Sequence, residues 1–159
     1  MPTRESLQLR CTGPGSLLVV FAALASAVLP CRADVITDWD AKASAVASPA
    51  SLGERELAIV DIAMFDAVNS IFPKYRAYLV RENGFSGASV DAAAAGAAAT
   101  ALMKLHPEHA ADFKTALDEY VKGLSISHDD VAKGIRLGEL VAQRVFDSRA
   151  ADNATGVDP

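Results

Sequence analysis

Cysteine is missing from most of this sequence, since both cysteines, Cys11 and Cys31, lie within the first 33 of its 159 residues. A chain that keeps only the residues after Ala33 therefore has no disulfide and no thiol nucleophile. Glycine-rich phosphate loops and Gly-x-Ser-x-Gly patterns are also missing. The sequence thus gives no support for a nucleotide-binding loop of that kind or for a serine nucleophile.

The first 33 residues have the pattern of a secretory leader. Two arginines precede residues 16–29, an apolar run that is too short to span a bilayer comfortably. The tripeptide 31–33 then places small residues at the positions that a signal peptidase reads. We expect a signal peptide over 1–33, cleaved after Ala33, and export to the periplasm or the medium. Lipoprotein processing at Cys31 and an uncleaved anchor are the alternatives.

The chain that remains after cleavage is acidic. Residues 1–33 contain three arginines and one glutamate, so the other 126 residues have 12 basic and 19 acidic side chains and a net charge of −7. An acidic exported domain without a basic patch is a poor candidate for binding nucleic acid or an anionic membrane. We expect neither partner, no transmembrane segment after the leader, and one modest domain.

The sequence predicts an all-α domain of about five helices packed around a central apolar helix. Residues 57–72 mark that helix, because they are apolar on nearly every side, as in a helix that other helices surround. We expect it to be capped by Ser51 and to end at about Asn69 or Ile71. A first helix is expected to be capped by Thr37 or Asp38. The others are an alanine-rich helix starting at Ser89 or Asp91, a helix over residues 108–122, and a helix over residues 131–149.

We place this domain at residues 34–149 and interpret residues 150–159 as the start of a linker. Two features of the sequence give further detail on the domain. Residues 73–80 alternate tyrosine and aliphatic side chains without a hairpin partner, which favours an extended strap lying over the helices. Gly134 and Gly138 are one helical turn apart, and each costs about 1 kcal/mol relative to alanine. A close helix crossing at these glycines is therefore predicted.

Asp66 is the most informative carboxylate, because apolar residues flank it and its burial would require a partner. The candidate partners are Arg76, the hydroxyl groups of Tyr75 or Tyr78, and a group outside this chain. We interpret Asp66 as a buried structural acid that holds the strap, in preference to a catalytic acid. Asp61 is expected to be a solvated residue at the edge of the same helix.

The three histidines, His106, His109 and His128, are candidate metal ligands. A spacing of three suits two ligands on one helix, but Pro107 separates the first two histidines. We interpret all three as surface or helix-end residues, with a metal site as the alternative.

Three segments carry a resemblance to a known family: 34–40 (Asp-Val-Ile-Thr-Asp-Trp-Asp), 63–71 (Ala-Met-Phe-Asp-Ala-Val-Asn-Ser-Ile) and 73–79 (Pro-Lys-Tyr-Arg-Ala-Tyr-Leu). In this order they resemble the N-terminal helical half of bacterial vanadium-dependent haloperoxidase-like proteins, in the type 2 phosphatidic acid phosphatase (PAP2) superfamily. The similarity extends over nearly all of residues 34–153.

The resemblance implies that vanadate or phosphate is bound in a later helical bundle. In that bundle the family has three motifs: a lysine followed after six residues by Arg-Pro, then Ser-Gly-His, then an arginine followed after five residues by histidine. Such sites need cationic donors around the anion and an axial histidine. Lys74 and Arg81 match the first spacing, but Glu82 replaces the proline and the other motifs are missing, so we treat the match as coincidence. No catalytic, cofactor-binding or metal-binding residue is predicted in this chain.

These observations lead to one main hypothesis and two alternatives. The main hypothesis is a fragment of an exported protein whose helical domain supports a missing C-terminal catalytic domain. It predicts no activity alone, no cofactor in this chain, and self-association through exposed apolar surface. Whether the parent protein oxidises halide or cleaves phosphate esters is left open. The alternatives are a free-standing periplasmic helical module that binds a ligand beside Asp66 and the strap, and a metal-binding protein that uses the histidines.

Overall fold

The computed structural model describes residues 34–49, 51–150 and 152. Within them the chain forms five α-helices and no β-strand, which confirms the predicted all-α class. The helices are α1 (Val35–Val46), α2 (Ser51–Ile71), α3 (Val90–Leu105), α4 (Ala110–Lys122) and α5 (His128–Ser148), and a 3₁₀ turn at Pro107–His109 precedes α4. The leader predicted over residues 1–33 lies outside the described residues, as does most of the linker predicted over 150–159.

Side-chain caps determine where α1 and α3 begin. The Asp34 carboxylate accepts hydrogen bonds from the second and third amides of α1, both at 3.0 Å, so this helix starts at Val35. The expected cap at Thr37 or Asp38 is wrong, because Asp34 already satisfies the free amides of the first turn and both residues lie inside the helix. Ser89, one of the two predicted starting points of α3, caps that helix by accepting from the amide three residues later at 3.2 Å.

The alanine-rich helix α3 packs against α1, α2, α4 and α5. Residues 92–99 consist of seven alanines and one glycine, and all seven alanines have 0% exposure. An alanine side chain is a single methyl group, so neighbouring helices can approach α3 closely on several sides. Helix α2, which contains the apolar stretch 57–72, packs against α1, α3 and α5.

The closest helix contact lies between α3 and α5 and depends on glycine. A β-carbon at Gly138 would overlap the carbonyl oxygen of Ala93 and lie 2.5 Å from the amide nitrogen of Ala97. A β-carbon at Gly134 would lie 2.5 Å from the carbonyl oxygen of Ser89. The predicted close crossing at these two glycines is therefore confirmed, and the backbones approach because no side chain separates them.

Helix α1 is anchored by Trp39, which has 0% exposure. Val35 and Ala43 are one turn away on either side and are also buried, so a single stripe of α1 faces α2 and α3. Ile36 lies beside this stripe and stays 38% exposed.

Candidate functional site

Residues 72–82, which we call the strap, follow α2 and fold back over its C-terminal half without forming a helix or strand. Three consecutive amides of the strap, those of Tyr78, Leu79 and Val80, each donate a hydrogen bond of 2.8 Å to the carboxylate of Asp66. Asp66 has 0% exposure. A buried carboxylate requires such donors, and an extended segment requires acceptors for its amides, so each satisfies the other. The prediction that Asp66 is a buried structural acid that holds the strap is confirmed.

The predicted partners of Asp66 are wrong. Its oxygens accept from backbone amides, while Arg76, Tyr75 and Tyr78 have exposed side chains. The sequence pattern shows which side chains are available, but it gives no sign that an extended segment leaves its amides without strand partners. The three amides enclose the Asp66 carboxylate and shield it from solvent, so its oxygens are used within the fold.

Two further side chains of α2 attach the strap. The Asn69 amide group donates to the carbonyl oxygen of Tyr75 at 2.9 Å and accepts from the amide of Tyr75 at 3.0 Å. The Ser70 hydroxyl accepts from the amide of Glu82 at 3.0 Å and donates to the carbonyl oxygen of Asp66 at 2.7 Å. The strap is therefore fixed to α2 near its start, middle and end.

Large apolar side chains point outward from α2 and the strap. We call the following five residues, each between 41% and 64% exposed, the aromatic face: Phe65, Phe72, Tyr75, Tyr78 and Leu79. The rings of Phe65 and Tyr75 lie 6.3 Å apart between centroids, which joins the helix to the strap at this surface. The buried hydrogen bonds of Asp66 and Asn69 thus hold an outward-facing apolar surface in place.

A groove of about 390 Å³ lies between α1 and α2, and Phe65 also belongs to it. Its lining consists of Ile36, Asp40, Asp61, Met64, Phe65 and Val68. The pKa of Asp61 is raised from 3.8 to about 6, mainly by partial burial and also by a hydrogen bond with Asp40 and the repulsion between the two carboxylates. Asp61 is exposed, as predicted for an edge residue, but it also pairs with a second acid.

His106 is buried, with 6% exposure, and follows the last residue of α3. Its Nε2 lies 3.4 Å from Oε2 of Glu56, and its Nδ1 lies 3.4 Å from Oε1 of Glu108. The pKa of Glu108 is lowered by a hydrogen bond from the backbone amide of Glu108 itself, and the neighbouring His106 lowers it further. His106 is therefore at a helix end, as predicted, but it is not a surface residue.

Ser48, Glu56 and His106 form a polar cluster that is not a catalytic triad. The Ser48 hydroxyl donates to Oε1 of Glu56 at 2.7 Å, and the Ser48 amide donates to Oε2 at 2.8 Å. A hydrolytic triad requires the serine to contact the histidine, with the carboxylate on the other side of the ring. Here Glu56 lies between Ser48 and His106, so the cluster joins the α1–α2 connection to the end of α3.

The other candidates from the sequence do not converge on a site. His109 and His128 are exposed, and no group of three His, Cys, Asp or Glu side chains suited to a metal ion occurs in the part of the chain that the structure describes. Lys74 and Arg81 are exposed, and the ammonium of Lys74 lies 5.6 Å from the ring centroid of Tyr75. These two cations match a family spacing in the sequence, yet the structure gives them no shared partner among the contacts described.

Two clusters were missed by the sequence analysis, the Asp40–Asp61 pair and the Ser48–Glu56–His106 cluster. Each joins residues from separate helices or connections, and no spacing along the chain marks them. The one available signal for the second cluster is the position of His106 directly after the long apolar helix α3, where a buried histidine needs a polar partner.

Comparison with models of protein families, with curated proteins and with solved structures found no match for this chain. None of the helices within residues 34–49, 51–150 and 152 combines the length and the apolar character that a membrane span requires.

Proposed function

We propose that residues 34–149 are the N-terminal helical domain of an exported protein of the vanadium haloperoxidase-like or PAP2 type. In this proposal the domain has no activity alone and supports a catalytic helical bundle that binds vanadate or phosphate. The leader over residues 1–33 directs export, and the bundle is contributed by residues outside this chain. The observation that carries the proposal is the aromatic face, an apolar surface that a separate packing partner would cover.

The size of the aromatic face supports a packing role. Phe and Tyr each have 150–250 Å² of surface, so five large side chains that are about half exposed present on the order of 500 Å². This summed area is comparable with that of the largest apolar patch on an ordinary monomer, and large exposed apolar surfaces are often functional. A stable interface needs roughly 800 Å² from each partner, so the aromatic face would form the core of an interface with a polar rim.

The attachment of the strap also favours a packing role over a mobile loop. A surface that loses little conformational entropy on binding gains affinity, because the cost of ordering it has already been met during folding. The hydrogen bonds between the strap and the side chains of Asp66, Asn69 and Ser70 order the strap before any partner binds. In the proposed full-length protein, α2 is the apolar helix between the described helices on one side and the bundle on the other.

Sedimentation velocity of the purified chain tests the proposal. We expect concentration-dependent self-association and strong binding of a hydrophobic dye, because the aromatic face has no partner in the isolated chain. A triple variant, Phe72→Ser with Tyr78→Ser and Leu79→Ser, should weaken self-association at least tenfold and leave the far-UV circular dichroism unchanged.

The matched control removes exposed apolar side chains elsewhere. Leu52 and Ile126 are 43% and 45% exposed and lie outside the aromatic face, so Leu52→Ser with Ile126→Ser should leave self-association unchanged. A wild-type chain that stays monomeric and binds no dye would instead support a complete, free-standing module. Bromide-dependent halogenation of a phenol indicator by this chain with added vanadate would overturn the proposal that it is inactive alone.

A further inference from the structure

The groove between α1 and α2 is apolar except at one place. Ile36, Met64, Phe65 and Val68 form its walls, and the two remaining lining residues are both acids, Asp40 and Asp61. Ile36 and Phe65 are 38% and 41% exposed, so the groove opens to solvent between large apolar side chains. A partner therefore meets apolar surface with acidic groups beside it.

The two acids of the groove are unfavourably placed beside each other. Asp40 and Asp61 lie within hydrogen-bonding reach of each other, and Asp61 is partly desolvated. Two ionised carboxylates at this separation repel, and apolar walls reduce their hydration. A positive charge placed beside them would offset both costs.

We propose that this groove is the docking site for a helical protein segment that presents a lysine or arginine next to aliphatic side chains. The aliphatic stem of such a residue would lie along Ile36 and Phe65, and its charged end would reach Asp40 and Asp61. This inference rests on the proposed function, because we assign the segment to the bundle that covers the aromatic face. Phe65 belongs to both surfaces, so a partner on the aromatic face also reaches the groove.

The test uses two fluorescent helical peptides and the 159-residue chain. Both peptides contain about 18 leucine and alanine residues, and three positions along one edge are lysine in the first peptide and glutamine in the second. Fluorescence anisotropy at neutral pH and physiological salt gives each Kd. We expect the lysine peptide to bind at least tenfold more tightly than the glutamine peptide.

Variants determine whether this preference arises in the groove. In Asp40→Asn with Asp61→Asn the preference should fall below threefold, because the acceptors of the positive charge are neutral. In the control, Glu119→Gln with Glu139→Gln, the net charge changes equally at exposed positions on α4 and α5, and the preference should remain. Phe65→Ser should weaken the binding of both peptides, because it removes an apolar wall of the groove.

Two results would overturn the inference: equal affinity for the two peptides, or a preference that persists in the Asp40 and Asp61 variant. Either result leaves the proposed function standing, because self-association is measured through Phe72, Tyr78 and Leu79, which do not line the groove. Conversely, a monomeric chain that still shows the lysine preference would contradict the proposed function and retain the groove as a docking site.

Discussion

Replacement of Asp66 tests whether one buried carboxylate holds the strap on α2. In Asp66→Asn the side chain keeps its shape but has one acceptor oxygen and one amide donor. Oδ1 accepts from Tyr78, while Oδ2 accepts from Leu79 and Val80. If the remaining oxygen occupies the Oδ2 position, one hydrogen bond is lost and the other two become neutral.

The expected cost follows from these three hydrogen bonds. A hydrogen bond to a charged group contributes about 1.5–3 kcal/mol, against roughly 1 kcal/mol for a neutral one. The loss of one such hydrogen bond and the weakening of two would cost more than about 3 kcal/mol if the amides stayed buried. However, Tyr78 and Leu79 are 63% and 44% exposed. Their amides can regain water when the strap detaches, which limits the loss. We expect Asp66→Asn to lower the free energy of unfolding by about 2–3 kcal/mol and Asp66→Ala by about 3–4 kcal/mol.

Urea denaturation and amide hydrogen exchange measure these effects. The exchange of the amides of residues 78–80 should accelerate in both variants more than that of α3, because the strap opens locally before the domain unfolds. Asp118→Asn is the control: Asp118 pairs with Lys114 at an exposed position, so its loss should cost less than about 0.5 kcal/mol.

A different result would refute this reasoning. If Asp66→Asn unfolds at the wild-type urea concentration and residues 78–80 keep their slow exchange, the strap is held by other contacts. Equal losses for the Asp66 and Asp118 variants would likewise show that burial of the carboxylate contributes nothing specific.

Three further predictions concern other parts of the domain. The folded state holds the proton of Asp61 more tightly than the unfolded state, so the stability contributed by its raised pKa is fully present below pH 3.8 and is lost as the pH rises through about 6. Asp61→Asn should therefore be more stable than wild type at pH 7.5, by about 1 kcal/mol after allowance for solvent screening, and the gain should vanish near pH 4 in urea denaturation; a gain that is the same at both pH values would contradict the raised pKa. Gly138→Ala should destabilise the domain by about 2–4 kcal/mol in thermal unfolding, because the added methyl group overlaps the α3 backbone; a gain of stability from helix propensity would contradict the close crossing. Arg55→Met should cost about 1 kcal/mol in urea denaturation at low salt, because Arg55 pairs with Asp152 at 2.9 Å with both side chains 29% exposed and also donates to the carbonyl oxygen of Arg149 at 3.1 Å; high salt should reduce this loss, and a loss that salt leaves unchanged would contradict a contribution from the ion pair.

The helices and their closest contact could be predicted from the sequence because they depend on local patterns. Apolar residues at helical spacing identify α4 and α5, and Ser89 has the side chain that a helix start requires. Gly134 and Gly138 are unfavourable in a helix without a compensating contact, so their presence indicates a close crossing. The buried role of Asp66 was predictable for the same reason, since a carboxylate among apolar residues needs a partner.

The partners across the structure could not be predicted, because they depend on how the helices are rotated against one another. Nothing in the pattern of α1 or of α2 indicates that Asp40 faces Asp61. The contact between His106 and Glu56 depends on the path of the α1–α2 connection around Ser48. The side-chain partners of backbone amides could not be predicted either. Every residue other than proline has a backbone amide, and only the fold determines which amides need a side-chain acceptor.

Helix α2 links the two surfaces through its own geometry. Asp61, Phe65 and Val68 recur at four- and three-residue spacing and line the groove, while Asp66 and Asn69 hold the strap. Adjacent residues on a helix point about 100° apart, so Phe65 can reach solvent while Asp66 is buried. Fixing the strap also positions Tyr75 beside Phe65, at 6.3 Å between ring centroids. A partner bound as proposed would therefore meet a wall whose position is set by the hydrogen bonds of the next residue, and Phe65 would join the groove and the aromatic face.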